Sequence, residues 1–73
     1  QLKEAEFNVT QSERDFARQQ DLAKRNAGVT ADLERAETTL NANRTILQAR
    51  KASVAAAKNA VREAEEAIRN MFI

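Results

Sequence analysis

The sequence predicts an all-α fold, an antiparallel two-helix coiled-coil hairpin. Three observations carry that reading. The 73 residues include no Pro and a single Gly, Gly28, so the chain has one evident place to turn. Ala is the commonest residue, and with Leu, Glu, Lys, Arg and Gln it makes a strongly helix-favouring mixture. Two seven-residue repeats, one on each side of Gly28, agree on one register.

The first helix is expected over about residues 1–27. Leu2, Val9, Phe16 and Ala23 fall seven apart, and Ala5, Ser12, Gln19 and Asn26 form the second column of the seam. The turn is expected at about 28–30, within Ala27-Gly28-Val29-Thr30. Gly28 can take the left-handed conformation that closes a helix. Thr30 is a good N-cap for the next one, and Asp32 and Glu34 put negative charge in its first turn, where the helix dipole favours it. So short a turn makes the helices antiparallel neighbours.

The second helix is expected over about 31–71, near 60 Å at 1.5 Å per residue. Leu33, Leu40, Leu47, Val54, Val61 and Ile68 recur every seven residues without a miss, the signature of a left-handed coiled-coil seam. The accompanying column, Ala36, Asn43, Arg50, Ala57, Ala64 and Met71, is half small and half polar, so the seam is thin in its middle. Ala42, Ala49, Ala56, Ala60 and Ala67 lie beside it and are small enough to admit a neighbouring hairpin.

The two repeats fix the pairing. Leu2 with Val54, Val9 with Leu47, Phe16 with Leu40 and Ala23 with Leu33 all share one midpoint, residue 28. Beyond about Ala56 the second helix then has no partner within this chain, although Val61 and Ile68 continue the seam. Either an earlier stretch of the first helix or another copy is expected to cover it.

The composition is poor in chemistry. There is no His and no Cys, so no catalytic residue, no cofactor and no metal ligand set is expected. Glu63, Glu65 and Glu66 read as a solvated face, and no Gly-rich loop is present to cradle a phosphate. The formal net charge is +1, too small to recruit nucleic acid through a global field. The basic stretch Arg44, Arg50, Lys51, Lys58 and Arg62 lacks interleaved aromatic side chains for stacking, so it reads as a solvated face that pairs with acids. No apolar run approaches the roughly 18–20 residues that span a bilayer, and the Ala-rich apolar face is too narrow for a membrane-surface helix. What remains is a structural interaction module.

The residues around the turn give it a context. Arg18 to Ala36, with Arg18, Leu22, Thr30 and the Asp32-Leu33 helix start, resembles the hairpin tip of periplasmic adaptor subunits, also called membrane fusion proteins. The Ala-rich stretch Thr38–Ala67 and the ending Ile68-Arg-Asn-Met-Phe-Ile73 are similar to theirs as well. That family reads Arg, three residues, Leu, six residues, Ser. Arg18 and Leu22 match the first two places; Thr30 fills the third with one extra residue, or Val29 stands there and the hydroxyl has moved. The resemblance implies a docking tip of Arg18, Leu22 and Thr30 that engages a TolC-like outer-membrane channel. It implies neighbouring adaptor copies, a hexamer in the family, and an inner-membrane transporter reached only through domains absent from this sequence. It places the hairpin in the periplasm. The competing expectation is a coiled-coil interaction fragment of a cytoskeletal or chromosome-associated protein.

Overall fold

Ser and Thr inside helices tend to draw the backbone away from helical bonding unless their hydroxyls bond back along the helix. Here they bond back: Thr10, Ser12, Thr38 and Thr45 each donate to the carbonyl four residues earlier, at 2.8–3.1 Å. Both helices accordingly run without a break. The structure, a computed structural model, describes residues 2–25 and 30–72. Helix α1 spans Leu2–Lys24 and α2 spans Thr30–Met71. Near its end, the Arg25 N–H donates to the carbonyls of both Asp21 and Leu22, the shared bond of a helix terminus.

The all-α hairpin is therefore present, and its shape is a rod of 71 × 15 × 15 Å. A compact globule of this length would have a radius of gyration near 11 Å, whereas this chain has 20.1 Å. The expected turn residue Gly28, with Asn26, Ala27 and Val29, lies outside the described residues. Helix α2 opens at Thr30, one residue earlier than the expected start. Thr30 is thus a residue of the helix rather than the flanking cap expected of it.

The cross-helix contacts fit the expected register to within a few residues, with Asn43 reaching back as far as the Asn8 carbonyl. Asn43 Nδ2 donates across the seam to Ser12 Oγ, a pair centred half a residue below 28. Arg44 and Glu13 form an interhelical ion pair at 3.5 Å, centred half a residue above it. Leu2 and Val54 line one shallow cleft and are centred on 28 itself.

Burial is less even than the apolar columns suggest. Leu40 and Val9 are buried, while Leu2, Phe16, Leu33 and Leu47 are only half-buried. Ala5 and Ser12, at 3% and 5% exposure, are more enclosed than Phe16. Two helices meet along a line and cannot surround a large ring, so small side chains at the closest approach are the better covered. Val54 is exposed despite its position opposite Leu2, and Val61 and Ile68 are exposed as their lack of a partner requires.

A polar layer sits at the centre of the paired region. Asn43 Nδ2 reaches Ser12 Oγ and also, at 3.4 Å, the Asn8 carbonyl, to which Ser12 donates at 2.8 Å. No buried side-chain polar atom is left without a partner among the described residues. A satisfied polar pair at a core position specifies register at some cost in stability. Replacing Asn43 with Leu should therefore raise the melting temperature and loosen register. A spin label at Glu6 and another at Ser53 would then report a broadened distance distribution. An unchanged, narrow distribution would show that the apolar layers alone hold the register.

Candidate functional site

A cluster of polar side chains lies on one flank of the hairpin, toward the end where α1 finishes and α2 begins. Asp15, Arg18 and Gln19 from α1 and Asp32, Arg35 and Thr39 from α2 line a shallow open groove of about 310 Å³. The groove follows from the heptads. Asp15 precedes Phe16 and Asp32 precedes Leu33, so both carboxylates stand immediately beside the seam on the same flank.

Each arginine is tied to the aspartate one turn before it. Arg18 Nη2 lies 3.2 Å from Asp15 Oδ1, and Arg35 Nη1 lies 3.2 Å from Asp32 Oδ1. All four side chains are largely or partly exposed, so neither ion pair contributes more than about 0.2–1 kcal/mol to stability. What each pair does is hold the guanidinium in place. A guanidinium has five N–H donors in a planar fork, and one carboxylate oxygen leaves most of them free. The groove therefore offers two anchored donor forks and no net charge. A surface of that kind suits neutral acceptors, such as backbone carbonyls and amide side chains, better than it suits an anion.

The structure separates the three residues expected at the tip. Arg18 is in the groove, exposed, and held by Asp15. Leu22 lies one helical turn further on the same face, and is half-buried just before the seam residue Ala23. Thr30 is exposed and is not among the groove residues; its heptad position puts it on the opposite flank. Arg18 and Leu22 are thus brought together and Thr30 is not.

Sequence reasoning missed Asp15 and Arg35, and gave Asp32 only a place at the start of the second helix. The signal was the spacing Asp-x-x-Arg, present once on each side of the turn at 15/18 and at 32/35. Asp21 and Arg25 form an i,i+4 ion pair at 3.3 Å. On the other flank Glu13 meets Arg44, as the pairing of the basic stretch with acids of the first helix requires.

No group of three or more His, Cys, Asp or Glu among the described residues is placed to hold a metal ion. No helix among them is long and apolar enough to cross a membrane. Comparison of the chain with protein-family models, with curated proteins and with solved structures finds no match.

Proposed function

We propose that this chain is the docking and spacer hairpin of a periplasmic adaptor that links an inner-membrane transporter to a TolC-like outer-membrane channel. One observation carries the reading: Arg18, held by Asp15, and Leu22 share one face of α1 next to the turn. A donor fork beside an apolar contact suits the end of another helical hairpin, where carbonyls stand free and side chains are small. The neutrality of the groove supports a protein partner over a nucleic acid. The 71 Å rod supports a spacer, because its length comes from backbone geometry and needs no bound group to hold it. In this role neighbouring adaptor copies flank the hairpin, other domains of the adaptor meet the transporter, and no catalytic step, cofactor or metal is involved.

A photo-crosslinking residue tests the proposal directly. In a full-length adaptor carrying this hairpin, a crosslinker at position 22 should capture the outer-membrane channel in intact cells. The same crosslinker at position 62, near the other end of α2, should not. Capture of the channel equally from both positions, or from neither, would sink docking through this face.

A further inference from the structure

The docking contacts named above, Arg18 and Leu22, both belong to α1, yet the groove is built from both helices. Asp15 and Arg18 come from α1; Asp32, Arg35, Ala36 and Thr39 come from α2. Asp15 and Asp32 hold the same heptad place, each one residue before a first-column seam residue, and each has its arginine three residues later. Each helix thus brings one carboxylate and one guanidinium to the same groove. The two clasps are alike, at 3.2 Å each. Each joins one carboxylate oxygen to one guanidinium nitrogen. Both kinds of group keep further bonding capacity, so the groove offers donors and acceptors together.

We propose that Asp32 and Arg35 are the share of α2 in docking, and that the groove receives the turn end of a partner's helical hairpin. This rests on the docking reading above and adds which residues of the second helix engage, and with what. Charge complementarity selects the occupant. At the turn of a helical hairpin one helix ends and another begins. The last four carbonyls of the first and the first four N–H groups of the second have no partner within their helices. The two ends carry opposite partial charges, negative at the carbonyls and positive at the N–H groups. Guanidinium groups suit the first and carboxylates the second. A groove that carries both, with no net charge, matches such a turn on both counts. A phosphate or a nucleic-acid strand would find two arginines and be repelled by two aspartates. The side of a helix offers neither free carbonyls nor free N–H groups, because its backbone is bonded internally. Ala36 and Thr39 are small, which lets a partner's backbone come close. Thr30, exposed and outside the groove, takes no part.

Two photo-crosslinker positions isolate the contribution of α2 in a full-length adaptor carrying this hairpin. Thr39 lines the groove, whereas Thr38, its neighbour in sequence, is equally exposed and does not. A crosslinker at position 39 should capture the outer-membrane channel in intact cells, and one at position 38 should not. Arg35→Ala should weaken export several-fold. Protein level and helicity should stay unchanged, because the arginine is exposed and its ion pair is a surface one. Arg35→Lys should fall between, since a point charge replaces the planar fork. If the clasp served only the hairpin's own stability, both variants would export normally. Normal export by Arg35→Ala, or equal capture from positions 38 and 39, overturns the proposal. If position 22 still captures the channel in that case, docking stands through α1 alone. If position 22 captures nothing, the docking reading falls as well.

Discussion

Replacing Leu40 with Ala should cost about 3 kcal/mol and melt most of the isolated hairpin at low concentration. Leu40 is the one buried residue of α2, at 3% exposure. It lies one turn from Asn43, next to the polar layer that bonds across the two helices. Phe16, the bulkiest residue of the paired seam, is only half-buried. A ring that keeps much of its surface in water forfeits less on truncation, so Phe16→Ala should cost roughly half as much. The composition alone would rank the two the other way. A two-helix chain without disulfide or metal has only a few kcal/mol to lose, so a 3 kcal/mol change is decisive. The measurement is a pair of thermal melts by circular dichroism at about 10 µM, below the range in which a small interface would associate. Val61→Ala, at a position with no intrachain partner, should leave the melt nearly unmoved. If Phe16→Ala proves the more damaging, burial in this hairpin is not governed by closeness of approach.

That contrast marks how far the sequence could be read. The heptads of Leu33 to Ile68 and of Leu2 to Ala23 determined the hairpin, its antiparallel sense and its register to within a few residues. They did so because a period of seven specifies which face of a helix meets another. They also located the uncovered stretch beyond Ala56. The distribution of burial along the seam was not legible, since a heptad names the facing residues but not the distance between helices. Ala5 and Ser12 are enclosed because they are small where the helices come close; Val54 is left open because α1 is only beginning there. The polar layer was half legible: Asn43 was one of the polar residues of a half-polar column, but its partner could be named only from the coordinates. For the site, Arg18 and Leu22 were picked out by resemblance. The clasp that orients Arg18 rests on Asp15, three residues away, and on a rotamer that no one-dimensional pattern specifies. Thr30 was placed with them by the same resemblance, as the residue filling the Ser place, while its heptad position sends it to the other flank.

The largest functional effect should come from the tip. In a full-length adaptor carrying this hairpin, Arg18→Asp should abolish export while leaving protein level and helicity unchanged. The arginine is exposed, and its pair with Asp15 contributes at most about 1 kcal/mol. Aspartate removes the donor fork and sets two like charges one turn apart, facing the carbonyls the fork would have met. Arg18→Lys should fall between, because a point charge replaces a planar fork with fixed geometry. Asp15→Asn is the more discriminating variant. It leaves Arg18 in place but releases its guanidinium, so it should weaken export several-fold without abolishing it. Leu22→Asp should match Arg18→Asp in effect; because Leu22 is half-buried, Leu22→Ala separates loss of contact from loss of fold. Arg62 serves as the control. It donates locally to Asn59 at 2.8 Å and stands far along α2 from the turn, so Arg62→Asp should export normally. The assay is drug susceptibility or secretion in a strain lacking its own adaptor, with immunoblots for protein level. If Arg18→Asp and Leu22→Asp both export as well as the parent, the groove is not the docking face and the hairpin acts as a passive spacer. If Arg18→Asp fails while Asp15→Asn is fully active, Arg18 acts through its charge alone, and the clasp plays no part in docking.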